Sequence, residues 1–154
     1  MSNENGKSDV QCKIEQIIRE GIQKKNGYLE KSRNLNIKDI QFEPDFYFWD
    51  SKNNKNIIGE IYAHVGPLKD GHKKKIAKDC LKLIAFERHY LEQETLEKKF
   101  ICVDKSVEIY LNGKSWLAEI FKSFDIEVIN YKELKEEHKQ EIEKAQKTQA
   151  KGNY

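Results

Sequence analysis

The chain has 154 residues, 38% hydrophobic and 35% charged, with a net charge of +2. That length fits one domain with a real core, and the composition is polar but globular, provided the charge sits at the ends and on exposed faces. The near-balanced charge makes a global electrostatic argument for nucleic acid weak, so any such argument must rest on local clustering.

Residues 1–7, "MSNENGK", form a polar leader, and a single domain is expected over 9–131. Ser8 offers an N-cap with Gln11 three residues on, a capping-box spacing. Val10, Ile14, Ile17, Ile18 and Ile22 recur at helical spacing, which predicts a first helix over about 9–25. From Ile40 to Trp49 the pattern becomes strand-like: Ile40, Phe42, Phe46 and Phe48 alternate with Gln41, Glu43, Asp45 and Tyr47. Pro44 interrupts this run and suggests an edge or a bulge. After the polar turn "DSKNNKN" a second strand spans 57–65. Ile57, Gly59, Ile61, Ala63 and Val65 share one of its faces, and Ile58, Glu60, Tyr62 and His64 the other.

Residues 72–92 predict the strongest helix, with Ile76, Ala77, Cys80, Leu81, Leu83 and Ile84 in one stripe. "KKFICVD" is a short third strand. "SVEIYLNGKSWLAEIFKSF" is mostly helical, with Trp116, Leu117, Ile120 and Phe121 as apolar positions and Gly113 blurring its start. "DIEVINY" is a fourth strand. The tail, 132–154, is charged and poor in aromatics, and a solvated helix or disorder is expected there. The element order predicts an α/β fold: a mixed four-stranded sheet with helices on both faces.

Cys12, Cys80 and Cys102 are odd in number and widely spaced, which argues against zinc and against a disulfide framework. Cys80 and Cys102 lie in apolar patterns and read as small buried hydrophobes. No run has the apolar length of a membrane helix and no signal-peptide core precedes the first helix, so a soluble, reducing, cytoplasmic setting is expected.

Two acids stand out. Asp45 and Glu60 fall on neighbouring strands with side chains toward the same side. An unpaired charge on a sheet face is costly to bury, so Glu60 wants a partner. A lysine or water would serve, and so would a metal ion. Phosphodiester hydrolysis calls for a divalent metal to generate hydroxide and offset transition-state charge, and magnesium takes one or two carboxylates plus water and substrate phosphate.

The sequence "PD", about fifteen residues, then an acid after an apolar run resembles the PD-(D/E)xK nuclease superfamily, the restriction-endonuclease-like fold. The resemblance spans most of the chain, from the first helix to "IEVINY". It implies a helix, a three-strand meander, a helix and a closing strand. It also implies that Asp45 and Glu60 bind Mg²⁺ or Mn²⁺ and that the substrate is nucleic acid, DNA ahead of RNA. The chain departs from the pattern at Tyr62, where the family usually has lysine; tyrosine is neutral near pH 7 and does not replace a cation.

Three explanations compete. A lysine has migrated, His64 serves as base or ligand, or activity is lost. On a helical wheel Lys75, Lys78, Lys82 and His89 fall together, opposite the apolar stripe. Lys75 or Lys78, near the helix start, is favoured to reach the acidic pair, with Lys82 a turn further on. "KDCLKL" resembles the acid-plus-lysine pattern many family members carry on this helix. The basic run "GHKKKIAK" makes Lys73 and Lys74, with Lys82 and Tyr62, candidates for nucleic-acid contact. Its bland alternative is a solvated helix face. His64 lies on the same strand face as Glu60, within water-mediated reach. Glu15 or Glu20 could add a carboxylate from the first helix.

Two further readings stay open: a non-catalytic nucleic-acid- or protein-binding module of the same fold, and an unrelated α/β interaction module. Symmetric cleavage of both duplex strands would require a homodimer.

Overall fold

A computed structural model describes residues 9–152. The capping role read for Ser8 therefore lies outside the described residues. Among them are five helices and seven strands. Helix α1 (Asp9–Asn26) is followed by a short strand β1 (Leu29–Glu30) and a hairpin, β2 (Leu35–Ile37) and β3 (Ile40–Phe42). Then come β4 (Phe46–Asp50), β5 (Lys55–Tyr62), α2 (Asp70–Arg88), β6 (Thr95–Cys102), α3 (Lys105–Leu111), α4 (Trp116–Ser123), β7 (Ile126–Asn130) and α5 (Glu136–Gly152).

The main sheet has the order β1-β4-β5-β6-β7. β4 runs antiparallel to both β1 and β5, whereas β6 is parallel to β5 and β7 to β6. The sheet is thus mixed, as expected, but five-stranded rather than four-stranded, because the two-residue β1 pairs through Leu29 and Glu30 with Trp49 and Phe48. The run 40–49 is not one strand either. Pro44, which cannot donate to a ladder, separates β3, which pairs only with β2, from β4.

Both sheet faces are covered. On one, Tyr47, Ile58, Tyr62, Phe100 and Cys102 pack under α2, α3 and α4. On the other, Phe46, Phe48, Ile57, Ile61 and Ile101 pack under α1 and α5. Successive crossovers from β5 to β6 and from β6 to β7 move along the sheet in one direction, which explains why their helices share a face.

Three further expectations are corrected. The tail is not a solvated appendage: Ile142 of α5 is buried beside Ile14 and Ile18, and Gln146 hydrogen-bonds both the N–H and the carbonyl of Val65. The predicted helix over 106–124 is two helices, because Ser115 caps α4 by accepting from the Ala118 N–H. Trp116, the first residue of α4, is exposed. In α2, Leu81 is exposed and Asp79 takes a buried place in the stripe beside Ile76, Cys80 and Leu83. Cys80 and Cys102 are buried free thiols, as expected.

Candidate active site

The site lies on the α2 face, where β4 begins opposite Gly59, in the half of β5 away from the β4–β5 turn. Phe46 pairs with Gly59, so Asp45 enters the sheet next to Glu60. Gly59 is required here: a Cβ would stand 2.0 Å from Phe46 Cζ. With the two strands this close, the Asp45 Oδ2 accepts a 2.7 Å hydrogen bond from the Ile61 N–H. Asp45 is 8% exposed and Glu60 only 3%.

The Asp45 carboxyl acts directly on that of Glu60. Burial holds Glu60 well above the ordinary carboxylate range; Asp45 pushes the same way, then Asp79, while Lys82 pulls it down. Glu60 is thus inclined to keep its proton when only protein surrounds it. Its Oε1 is buried with no hydrogen-bond partner among the described residues. An orphaned buried carboxyl oxygen is uncommon in a native fold and asks for an explanation such as a bound ion.

Asp79, on α2, is the residue sequence reasoning missed. It is 1% exposed. Lys75 Nζ donates to its Oδ1 at 2.8 Å, and Lys82 Nζ lies 3.8 Å from the same oxygen. Spacings of four and three residues along the helix bring both ammoniums to it. Lys75 and Lys82 accordingly flank a buried acid at the edge of the packed face, instead of standing opposite the apolar stripe. A signal was present: in "KDCLKL" an acid occupies a position three after Ile76 and four before Leu83, inside the apolar period.

Lys78 goes elsewhere. It is exposed and turns, with Lys74, to a groove beside the β2–β3 hairpin. Lys73 sits over the Tyr110 ring, 5.1 Å from its centre. Lys82 alone borders both that groove and the acidic cluster.

Tyr62 is buried, stacked on His64 with ring centres 5.5 Å apart and tilted against Phe100. Burial, with Asp79 second, raises its phenol pKa, so it stays neutral. His64 does share the face of Glu60, but its ring is committed: Nε2 lies 3.2 Å from the Pro67 carbonyl, and His72 packs with its ring centre 4.0 Å away. The His72 ring in turn accepts from the Lys69 N–H. Ile14 and Ile18 pack α1 on the opposite face of the sheet, and Glu20 of that helix accepts from Gln16.

Beyond β5 the chain is held firmly. Gly66 adopts φ +98°, and its N–H donates to Asp104 while its carbonyl accepts from Ser106. With the Gln146 clamp on Val65, this fixes the exit of the strand that carries Glu60.

Among the described residues no group of three or more His, Cys, Asp or Glu is arranged to hold a metal ion. None of their helices is long and apolar enough to cross a membrane. Comparison with protein-family models, characterised proteins and solved structures finds no match to this chain.

Proposed function

We propose that the chain is a small metal-dependent nuclease of the restriction-endonuclease-like fold, hydrolysing phosphodiester bonds in DNA, with RNA as the alternative substrate. The observation that carries this reading is the buried Asp45–Glu60 pair with its orphaned Glu60 oxygen. Two adjacent carboxylates fit a hard divalent cation such as Mg²⁺ or Mn²⁺, whose remaining ligands are water and substrate phosphate. When bound, such a cation activates water and offsets the charge that builds up on the phosphate.

Asp45 and Glu60 would hold the cation, and its charge would draw the proton from Glu60. Lys82, with Lys75 beside it, would supply positive charge to the phosphate in the role vacated at position 62. Asp79 anchors both. Tyr62 contributes shape and a hydroxyl, but no charge. The element order adds support: α1, then a β1–β4–β5 meander interrupted by the β2–β3 hairpin, then α2, then β6 parallel to β5.

The second reading is a non-catalytic module of the same fold, which binds nucleic acid or protein. Tyr62 in the lysine position and the two-carboxylate limit favour it. Manganese calorimetry and cleavage assays separate the two. The expected result is binding that disappears in Asp45→Ala and in Glu60→Ala, together with cleavage that needs the metal. Absence of binding at millimolar manganese would favour the non-catalytic module of this fold or an unrelated α/β interaction module.

A further inference from the structure

The β2–β3 hairpin stands off α2 and leaves an open groove of about 540 Å³ between them. Its floor is aliphatic and aromatic: Ile37, Ile40 and Phe42 from the hairpin, Ala77 and Leu81 from the helix. Ile40 is 71% exposed and Leu81 65%. Two large aliphatic side chains left in water on opposite walls of one groove mark an interaction surface rather than scattered surface residues.

The rim is charged with one sign. Lys74, Lys78 and Lys82 line the helix side, and among the described residues no carboxylate lines the groove. The three recur every four residues, so they form one row along α2 with steps of about 6 Å. That step is of the order of the phosphate repeat in an extended polynucleotide strand. The row also leads somewhere: Lys82 lies 3.8 Å from Asp79, and its charge acts on Glu60.

We infer that this groove holds an unpaired stretch of nucleic acid, with phosphates along Lys74, Lys78 and Lys82 and bases against Ile40 and Leu81. The inference rests on the nuclease reading and adds the substrate class. In a duplex the base faces are stacked on one another and turned away from the backbone, so an apolar floor beside a lysine row would have nothing to touch. In a single strand, a flap or an opened end the bases are free, so a basic track can follow the backbone while the apolar wall, here aliphatic where such sites are commonly aromatic, takes the base faces by apolar contact. The strand's backbone is then delivered past Lys82 to Asp45 and Glu60.

The test is fluorescence anisotropy with labelled oligonucleotides on the full chain in EDTA, which prevents cleavage. The probes are a single strand, the blunt duplex of the same sequence, and that duplex with a single-stranded overhang. The single strand and the overhang should bind at least tenfold more tightly than the blunt duplex. Leu81→Glu and Ile40→Glu, both at exposed positions, should remove most of that difference without changing the melting temperature. Lys74→Gln with Lys78→Gln should reduce the slope of log affinity against log salt by about 1.4. Equal or tighter binding of the blunt duplex, or an unchanged preference in Leu81→Glu, overturns the inference; metal-dependent cleavage of the duplex would still leave the nuclease reading standing. No binding of any probe together with no cleavage removes both. If Leu81→Glu instead changes the sedimentation of the free chain, the groove is covered by a second copy and the inference fails.

Discussion

Replacing Gly59 with alanine tests whether the close approach of β4 and β5 is what assembles the acidic pair. The added Cβ would lie 2.0 Å from Phe46 Cζ and 2.5 Å from Cε1, where ordinary carbon contact begins near 3.5 Å. The ring would have to retreat by about 1.5 Å, and it has no room: Phe46 is fully buried and stacked on Phe48 with centres 5.1 Å apart. Overpacking of this kind costs about 1–3 kcal/mol, which for a chain of this size lowers the melting temperature by about 2–12 °C. The strain falls on the Phe46–Gly59 pair, one step from Asp45 and Glu60, so manganese affinity should fall as well. Phe46→Leu removes the obstructing ring. The double variant should therefore be more stable than the sum of the two singles, by about 0.5–3 kcal/mol, and should regain part of the manganese binding. Thermal melts followed by circular dichroism, with calorimetry for the metal, give both quantities. Additive stabilities within about 0.5 kcal/mol would refute the steric account.

Asp45→Ala and Glu60→Ala should each abolish metal-dependent cleavage in an oligonucleotide assay while leaving the circular dichroism spectrum unchanged. Glu60 is held above its ordinary range by burial and by Asp45, so the folded chain keeps a proton there that the unfolded chain releases. Its contribution to stability is full below the unfolded carboxylate pKa and is lost as pH rises through the folded value. Glu60→Gln should accordingly gain melting temperature over the parent in EDTA, by an amount that grows as pH rises from the unfolded carboxylate pKa toward the raised folded one; a constant offset contradicts the assignment. Asp79→Asn should cost only about 1 kcal/mol of stability, since Lys75 and Lys82 are 38% and 35% exposed and partly screened. Its cleavage rate should fall up to about 100-fold through misplaced lysines, and adding Lys82→Gln should lower it little further. Tyr62→Phe should be mild in both assays, while Tyr62→Lys should fail to raise activity, because a cation there would crowd one already held by Asp79; increased cleavage would place the missing charge at position 62 instead.

The parts of the fold that show up in the sequence are those set by a single period over many residues. α1 is an instance, and so is the two-faced pattern of β5, whose alternate residues do pack on opposite layers. β1 is invisible because two residues carry no period; only its pairing with Trp49 and Phe48 makes it a strand. The packing of α5, expected only as a solvated helix or disorder, was hidden for a different reason. The residues of this helix are nearly all polar or charged, and the buried Ile142, the Gln146 clamp and the Lys13–Glu141 pair hold it to α1 and the β5 exit. In the candidate site the strand residues were legible because a strand face is readable from parity alone. The helix lysines were legible only in part: Lys75 and Lys78 were both candidates to reach the acids, and a wheel, which separates apolar from charged positions, sets Lys75 and Lys82 apart from the packed face and does not tell them from Lys78. It takes the buried Asp79 between them to show that the charged side and the packed side meet there.

That meeting bears on why position 62 holds tyrosine. The α2 face of the sheet is an apolar layer, and among the described residues the one lysine buried within it, Lys98, pairs with Glu87 of α2. A lysine at position 62 would enter the same layer beside Phe100 and would need a similar partner, either Asp79, whose charge already reaches position 62, or Glu60 on the same strand face. A Glu60 tied to a lysine would be a poorer ligand for a cation. Carrying the charge on α2 avoids this conflict, because the heads of Lys75 and Lys82 stay partly in water and lose less hydration. A lysine on a helix edge is mobile unless something holds it, and a buried carboxylate at the centre of the pair does so for both at once. On the nuclease reading, Asp79 is what a displaced lysine would require, and its burial among Ile76, Cys80 and Leu83, costly for a lone acid, is offset by the two ammoniums it gathers.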